Sequence, residues 1–439
     1  MGNIFYLLNM SVAGIKNIKK EIRLEFYKKT VDHNFDPERY RVKAIYGENG
    51  SGKSALITAV KIFQDLIIDD NYLSDPNTQE FLDEIINKTT HTLRFSLEFL
   101  VDSVTIKAVY SYSVHLGKNS HGQYEIQYEI LKSKSSNYPN NKFKTIYESQ
   151  NGELINIDCT DTARENVVKK TINLLSSRTF MSMYLNLQED SLLHENVEIP
   201  IVLSLIFAVT IKVYIAEEDQ HELYFLRKKF KDSSLDNQKL LSDFFEYGDS
   251  FGGFSSVSAK FIDKKYFEKY KENVSQLTQF IKIFKPDLVS IDIDAKENGE
   301  QYVCDLNLNY GDYSINKEFE STGIRKLIRL FDCFTAASTV GIVFIDEMDS
   351  NINDVYLCKL IEYFMYYGKG QLCFTTHNLD PMSILKENRN SIDFLSSDNH
   401  LVSWTSRGNA TPENCYKNGM IEDSPFNIDA TDFVGIFGE

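Results

Sequence analysis

Two regions of the chain alternate between hydrophobic and polar residues with the period of two that a half-buried β-strand requires. Between residues 93 and 99 hydrophobic side chains occupy one face and polar side chains the other, and residues 124–130 repeat the pattern. Together with residues 5–26, which read as two further strands, they predict an antiparallel flank of hairpins. The hydrophobic positions are Leu93, Phe95, Leu97, Phe99, Tyr124, Ile126, Tyr128 and Ile130.

Short continuous hydrophobic runs predict a second kind of strand, buried on both faces as in a parallel sheet. Residues 41–46 precede a glycine-rich loop and a helical pattern at residues 53–68, and similar runs occur at residues 342–345 and 371–376. This alternation of strands and helices indicates an α/β fold class with the antiparallel flank beside it. Further strands are expected at residues 179–184, 288–294, 302–308, 392–395 and 401–404.

From residue 162 to about residue 286 the hydrophobic spacing becomes helical, interrupted by a loop with paired glycines at residues 248–256. Heptads do not persist, so an inserted compact helical lobe is expected rather than a long coiled coil. Within it, residues 199–216 approach the length of a membrane span. Because this stretch contains Lys212 and barely reaches the thickness of a bilayer core, it is predicted to be a buried helix.

The glycine-rich loop between the first two of these elements has the features of a phosphate-binding loop. Its glycines allow backbone N–H groups to close around phosphates, and the helix that follows adds a favourable dipole. Lys53 is expected to reach the terminal phosphates and the Ser54 hydroxyl to ligate Mg²⁺, so the chain is expected to bind a nucleoside triphosphate. The predicted phosphate-binding residues are Gly47, Asn49, Gly50, Ser51, Gly52, Lys53 and Ser54.

Three candidate catalytic residues follow the other two buried runs: Asp346 and Glu347 end one, and His377 ends the next. The carboxyl ends of parallel strands share one edge of a sheet, where ligands bind in open α/β folds. Asp346 is predicted to hold Mg²⁺, directly or through water, Glu347 to position or deprotonate the attacking water, and His377 to contact the γ-phosphate. The alternatives are two charges at a solvent-exposed strand end and a structural histidine. The phosphate loop in the same chain favours the catalytic interpretation.

Ser321, Thr322 and Gly323 form a small polar turn before a predicted amphipathic helix, which in turn precedes the acidic strand. One face of this helix is hydrophobic, and the basic residues are expected to point outward. Its N-terminus would favour phosphate through the helix dipole. The hydrophobic positions are Ile324, Leu327, Ile328, Phe331 and Phe334, and the outward basic positions are Arg325, Lys326 and Arg329.

In this order, the phosphate loop, the Ser-x-Gly turn, the Asp-Glu strand and the histidine resemble the ATP-binding-cassette (ABC) ATPase superfamily. Asn49, the two strands at residues 5–26 and the sequence of residues 346–350 are similar to its SMC, RecF and OLD-like branch rather than to transporter subunits. Within that branch, residues 320–327 and 374–378 look most like small bacterial ATPases of phage-defence and abortive-infection systems, of the RloA, AbiL and Septu types.

The resemblance implies an ABC-type ATPase head with ATP and Mg²⁺ as ligands. It implies a homodimer or higher oligomer in which Ser321, Thr322 and Gly323 of one subunit cap the ATP held by the phosphate loop of another. Thr322 and Ile324 stand where the family has a second glycine and a glutamine or glutamate. Asn353 stands in the loop after the acid pair, the D-loop, where an aspartate or histidine is common. These departures imply slow or partner-stimulated hydrolysis.

The glutamine that such ATPases carry near the nucleotide is assigned to Gln188. This residue follows the strand-like residues 179–184 and precedes a helical segment. The alternative is an exposed polar residue at the start of a helix.

Composition is typical of a cytoplasmic enzyme. Six cysteines without Cys-x-x-Cys spacing indicate neither a disulfide framework nor a zinc site, and the first residues lack the pattern of a secretory signal. The net charge of −16, from 47 basic and 63 acidic residues, disfavours broad DNA binding, and no membrane partner is expected. Basic clusters at residues 16–20 and 227–231 leave local nucleic-acid contact open.

The predicted domains are the N-terminal part of the head (1–155), a helical insertion (156–285), the C-terminal part of the head (286–390) and an extension packed on the head (391–439). The insertion carries no catalytic motif, so it is either a partner surface or a structural cap. The stretch after His377 is too short for the nuclease domain of OLD-type proteins, so an effector, a nuclease or toxin, is expected to be a separate protein.

The implied function is therefore a sensor or regulator subunit of an antiphage defence complex that dimerises around ATP. One alternative is a RecF-like ATPase acting on DNA ends in repair or recombination, which would need a basic groove. Another is the energising subunit of a transporter, which Asn49 and the SMC-like strands disfavour.

Overall fold

The computed structural model describes residues 4–29, 31, 35–103, 106–136, 141–187, 193, 195–215, 255–388, 390–405 and 410–424. Gln188 and the basic cluster at residues 227–231 lie outside these segments, so the roles predicted for them stay predictions. Within the described segments, no helix has both the length and the hydrophobicity that crossing a bilayer requires.

An antiparallel sheet forms the flank of the head. Its strands are β1 (Ile4–Ala13), β2 (Ile22–Glu25), β4 (Thr92–Asp102), β5 (Lys107–Lys118), β6 (Tyr124–Ser135), β7 (Lys144–Gln150) and β8 (Glu153–Ile157), in the order β2-β1-β4-β5-β6-β7-β8. In β4, Leu93, Phe95, Leu97 and Phe99 are buried while Arg94 is exposed, so the predicted alternation is confirmed. In β4 the hydrophobic face packs on the core and the polar face is partly exposed to solvent.

A predominantly parallel sheet forms the centre of the head. Its strands are β3 (Val42–Tyr46), β9 (Ile211–Tyr214), β14 (Ile342–Ile345), β15 (Gln371–Thr375), β16 (Ile392–Leu395) and β17 (Leu401–Ser403), in the order β17-β16-β3-β15-β14-β9. Only the β16–β17 pair is antiparallel among these described strands. The strands β3, β14, β15 and β16 are buried along their whole length, which explains their nearly continuous hydrophobic runs.

A smaller antiparallel sheet precedes the helix that begins at Thr322. It contains β10 (Phe261–Asp263), β11 (Ser290–Asn298), β12 (Gln301–Asn309) and β13 (Ser314–Asn316). The central strand β12 pairs with the other three. Both strands predicted from the sequence at residues 288–294 and 302–308 are confirmed as β11 and β12.

The parallel sheet separates two hydrophobic cores. Ile342 and Phe344 of β14 face the core shared with the antiparallel flank, whereas Val343 and Ile345 face the core shared with the smaller sheet. The helices that cover these cores and the remaining surface are α1 (Lys53–Ile68), α2 (Pro76–Ile85), α3 (Asp161–Thr171), α4 (Phe180–Leu187), α5 (Glu195–Thr210), α6 (Phe267–Phe284), α7 (Thr322–Ser338), α8 (Asp354–Tyr366), α9 (Met382–Leu385) and α10 (Pro412–Lys417). The predicted α/β class with an antiparallel flank is therefore confirmed.

The strand predicted at residues 179–184 is wrong, because α4 occupies this position. The buried carboxylate of Glu129 in β6 accepts a hydrogen bond from the backbone N of Phe180 at 2.7 Å, and Thr179 Oγ1 accepts one from the backbone N of Ser182 at 3.0 Å. These bonds satisfy N–H groups that the first turn of a helix leaves unpaired. A short hydrophobic run does not by itself distinguish a strand from a buried helix.

The segment predicted as a helical insertion contributes a strand to the parallel sheet. The helix expected at residues 199–216 ends at Thr210, and the chain continues as β9, which pairs with β14. Gln64 Nε2 of α1 donates to the carbonyl oxygens of Ala208 and Ile211, each at 2.8 Å, and so fixes this transition on the head. β9 thus lies within residues 156–285 of the sequence but pairs with β14 in the parallel sheet. The predicted domain division itself stays a prediction.

A buried ion pair joins two neighbouring strands of the parallel sheet. Lys43 Nζ in β3 lies 2.6 Å from Asp393 Oδ2 in β16, and both side chains are 1% exposed. The ammonium also donates to the carbonyl oxygen of Asn390 at 2.7 Å, and Ser403 Oγ donates to Asp393 Oδ1 at 2.5 Å. The pair is thus almost fully satisfied by polar partners, as a buried charge requires.

We expect Lys43→Met to lower the midpoint of thermal unfolding, because Asp393 would remain buried without its cation at a cost of about 3–5 kcal/mol. The double variant Lys43→Met/Asp393→Leu should recover most of this loss, since it removes both charges. Lys269→Met on the partly exposed side of α6 serves as the control and should leave the midpoint unchanged. A double variant no more stable than the single one would contradict this account.

Candidate functional site

The predicted phosphate-binding loop connects β3 to α1 at the carboxyl edge of the parallel sheet. Gly52 precedes α1 with φ of +111°, and a Cβ there would lie 2.9 Å from Ile18 Cγ1. At Gly47 a Cβ would lie 2.4 Å from the carbonyl oxygen of Leu395. Glycine is therefore required at position 52 for backbone conformation and at position 47 for space.

Two side chains of this loop are buried in a polar setting. The Lys53 ammonium donates to the carbonyl oxygens of Gly47 at 2.8 Å and of Glu48 at 2.9 Å. Burial lowers the pKa of Lys53, while Asp346 and other nearby carboxylates oppose this shift. Ser51 Oγ is buried and has no hydrogen-bond partner within the described part of the chain. The loop thus combines a cation with an unsatisfied hydroxyl, and both groups can donate to a phosphate.

The turn after β1 packs against the phosphate loop, a contact that the sequence analysis missed. Asn17 Nδ2 donates to the carbonyl oxygen of Gly50 at 2.6 Å, and Ile18 covers Gly52. The sequence marked this region only by its lysines. No signal singled out Asn17, because its partner depends on how the antiparallel flank packs on the parallel sheet.

The acid pair follows β14 and is held by the neighbouring strands. Thr375 Oγ1, at the end of β15, donates to Asp346 Oδ1 at 2.6 Å and accepts from the backbone N of Glu347 at 2.8 Å. The backbone N of Asp346 donates to the carbonyl oxygen of Tyr214 in β9 at 2.9 Å. Asp346 is buried, whereas Glu347 is exposed and has φ of +48°. One acid is therefore fixed by the sheet while the other is accessible to solvent.

His377 follows β15, which lies between β3 and β14 in the sheet. It therefore lies between the phosphate loop, which follows β3, and the acid pair, which follows β14. Its backbone N donates to Asp349 Oδ2 at 3.3 Å. Partial desolvation of the imidazole lowers the pKa of His377, and the Lys53 ammonium lowers it further, whereas Asp349, Glu347 and Asp346 oppose the shift. The predicted lysine, acids and histidine thus lie within electrostatic reach of one another.

The Ser-x-Gly turn of residues 321–323, called the signature turn from here on, lies at the N-terminus of α7. Ser321 is the N-cap residue and its Oγ accepts from the backbone N of Ile324 at 3.4 Å. Ser321 and Thr322 are exposed, while a Cβ at Gly323 would lie 2.7 Å from the carbonyl oxygen of Asn351. The turn therefore packs on the loop after the acid pair of its own chain, and its exposed end offers a helix N-terminus to an anion.

Asn353 caps α8, because its Oδ1 accepts from the backbone N of Val355 at 3.0 Å. Capping alone accounts for an asparagine at this position, whatever else it contacts.

The expectation that Lys326 points outward is wrong. Its side chain is 5% exposed, and its ammonium donates to the carbonyl oxygens of Glu347 at 2.6 Å and of Ser350 at 2.8 Å. Helical periodicity placed it on the polar face, but the loop after the acid pair covers that part of the face.

The residues of this site suit the binding of a nucleoside triphosphate together with Mg²⁺. Within the described residues, no cluster of three or more His, Cys, Asp or Glu side chains could hold a metal ion by itself. Mg²⁺ in phosphate sites takes only one or two carboxylates and completes its coordination with phosphate oxygens and water. Ser54 at the start of α1 and Asp346 at the end of β14 are the side chains that would supply the protein ligands. Lys53 and Ser51 would meet the phosphates.

Comparison with known proteins gives a structural similarity with a low score. No family model matches the chain, and no curated protein matches it. Among solved structures the chain is similar to the SMC head domain from Thermotoga maritima, with 13% sequence identity and a TM-score of 0.31. The match covers 91% of this chain and 100% of that chain. The interpretation of the site therefore rests on its own residues and contacts.

We expect Thr375→Val to weaken magnesium-dependent nucleotide binding about tenfold, because it removes the hydroxyl that orients Asp346, and such supporting bonds affect metal affinity by about 10–100-fold. Titration of a fluorescent ATP analogue with and without Mg²⁺ measures the effect. Binding without Mg²⁺ should change little. Thr278→Val in α6, where a buried hydroxyl bonds only its own helix, is the control. Equal losses with and without Mg²⁺ would contradict the role of Thr375.

Proposed function

We propose that this protein is an ATPase with an ABC-type head of the SMC-like kind, which binds ATP with Mg²⁺ and hydrolyses it. One observation carries the proposal: the phosphate loop, the acid pair and His377 lie together at one edge of the parallel sheet, in the strand order β3-β15-β14. A phosphate-binding loop alone would support binding. The acid pair and the histidine beside it supply the groups that hydrolysis needs.

The chain's own residues divide this chemistry between them. The N–H groups of the loop and of the first turn of α1 bind the phosphates, and the Lys53 ammonium exchanges its carbonyl partners for phosphate oxygens. Mg²⁺, held by Ser54 and Asp346, would neutralise charge on the β- and γ-phosphates. Glu347, which is solvent-accessible, orients and deprotonates the attacking water. His377, whose lowered pKa favours the neutral imidazole, donates to the γ-phosphate.

The exposed signature turn supports a homodimer with ATP between the subunits. Ser321 and Thr322 begin α7 at the surface, and Phe319 beside them is 79% exposed. A polar helix N-terminus next to an exposed aromatic ring suits a surface that meets a nucleotide and a second subunit. We therefore propose that the phosphate loop of one subunit and the signature turn of another complete each site.

The biological role is proposed from the sequence resemblance alone. We propose that ATP-dependent dimerisation in the cytoplasm regulates an antiphage defence complex whose effector, a nuclease or toxin, is a separate protein. The alternative is a RecF-like ATPase that acts on DNA ends. The net charge of −16 disfavours this alternative, because a duplex-binding groove needs a basic surface.

We expect Lys53→Ala to weaken ATP binding about 100-fold, because it removes charge-assisted bonds to phosphate. Glu347→Gln should retain binding, lower the hydrolysis rate about 100-fold or more, and accumulate a nucleotide-bound dimer. Calorimetry, phosphate release and analytical ultracentrifugation measure these effects. Lys269→Ala, remote from the site, is the control. Normal hydrolysis by Glu347→Gln would show that Glu347 is not the catalytic base.

We expect Ser321→Arg to block hydrolysis through a steric and charge conflict at the facing site. A mixture of Ser321→Arg and Lys53→Ala subunits tests the arrangement directly. A mixed dimer would contain one intact site, built from the phosphate loop of the first variant and the signature turn of the second. Phosphate release should therefore reappear on mixing, although each variant alone is inactive. No recovery at any mixing ratio would contradict sites shared between subunits.

A further inference from the structure

Lys326 connects α7, the helix that begins at the signature turn, to the loop that follows the acid pair. It lies in the second turn of α7, and its ammonium donates to three oxygens: the Glu347 carbonyl at 2.6 Å, the Ser350 carbonyl at 2.8 Å, and Ser350 Oγ. The ring of Tyr214 from β9 lies 5.9 Å away. An ammonium has three donors, so every donor of this buried group has an acceptor.

The loop that Lys326 binds contains strained backbone. Glu347 has φ of +48° and Asn351 has φ of +60°. A residue other than glycine costs about 1–2 kcal/mol when its backbone adopts the left-handed conformation. Such a conformation persists only where surrounding contacts enforce it. The backbone N of Ser350 donates to the Glu347 carbonyl at 3.0 Å, so that carbonyl is the acceptor for both the turn and Lys326.

The main chain of Glu347 is therefore fixed on both sides by side chains from different elements. Thr375 Oγ1 of β15 accepts from its N–H at 2.8 Å, and Lys326 Nζ of α7 donates to its C=O at 2.6 Å. The carboxylate of Glu347 is left exposed to solvent. A main chain fixed on both sides sets the direction in which the Glu347 side chain leaves the backbone, while its carboxylate stays accessible to a substrate.

Among the described residues Lys326 forms no ion pair with a carboxylate, and burying such a cation costs free energy, which argues that it does more than pack. Burial lowers the pKa of Lys326 to about 8, while the carboxylates of Asp349, Glu347 and Asp346 oppose that shift. A hydrophobic residue of similar length would pack in α7 without this cost.

Building on the proposed ATPase function, we propose that Lys326 is a positioning residue for Glu347. Its ammonium holds the left-handed turn at residues 347–350 so that the carboxylate is aimed at the attacking water. Because Lys326 touches neither phosphate nor water in this role, its loss affects the chemical step and leaves nucleotide affinity almost unchanged.

The test compares Lys326→Met, which keeps length but removes the donors, with Lys326→Arg, which keeps charge and donors. Lys359→Met on α8 is the matched control, since Lys359 is exposed and pairs only with Glu362 in the described structure. We expect Lys326→Met to lower kcat about tenfold or more, with KM and ATP affinity within about threefold. Lys326→Arg should restore part of kcat.

Hydrogen exchange of the nucleotide-free protein gives a second readout that needs no ATPase activity. Peptides covering residues 342–353 should exchange faster in Lys326→Met than in the wild type, because the turn loses its anchor. Peptides of β5 and β6 should be unchanged. If Lys326→Met does not fold, Ser350→Ala removes one acceptor and should raise exchange in the same peptides.

Two outcomes would overturn the proposal: unchanged exchange at residues 342–353, or a loss of ATP affinity equal to the loss of kcat. A wild-type protein without ATPase activity would refute the proposed function instead, and the exchange experiment would still decide whether Lys326 anchors the turn.

Discussion

The site depends on one constraint of the parallel sheet: β15 lies between β3 and β14, and all three strands run in the same direction. Their carboxyl ends therefore share an edge, and the residues after each strand meet there. Lys53 reaches this edge from α1, while Asp346 and His377 reach it from segments about 300 residues later in the sequence. Because the strands are buried on both faces, the two hydrophobic cores keep this order in place.

Buried polar residues of the sheet and of α7 hold the site in place. Thr375 bonds both acids, and Lys326 bonds the turn after them. The Lys43–Asp393 pair joins β3 to β16 one strand away. Each of these groups has several hydrogen-bond partners, so burying it costs less free energy than burying an isolated polar group. A different arrangement of the strands would leave these groups unpaired.

The sequence was sufficient for features that depend on local pattern. The left-handed conformation of Gly52, the alternation in β4 and the hydrophobic run of β14 each reflect a requirement of their own segment. The helix α4 and the strand β9 were not predictable in this way, because short hydrophobic runs suit either structure. The helix α4 is stabilised by the bond from the Phe180 N–H to Glu129 in β6. The strand β9 is stabilised by its pairing with β14.

Within the candidate site, the sequence predicted where the residues proposed to carry the chemistry stand, at strand ends, but not the residues that hold them. Asp346, Glu347 and His377 were found at strand ends, where their type is informative. Thr375 and Asn17 are ordinary polar residues whose importance comes from partners distant in sequence. Lys326 was placed on the wrong face, because helical spacing takes no account of a loop that folds over the helix.

The bond between the Asp346 N–H and the Tyr214 carbonyl makes the acid pair sensitive to the alignment of β9. If β9 slipped by one residue along β14, a different carbonyl would oppose this N–H and the inward and outward side chains of β9 would exchange faces. The chain continues from β9 into the middle segment. A displacement of β9 along its own axis would therefore act on Asp346 directly, through this single main-chain bond.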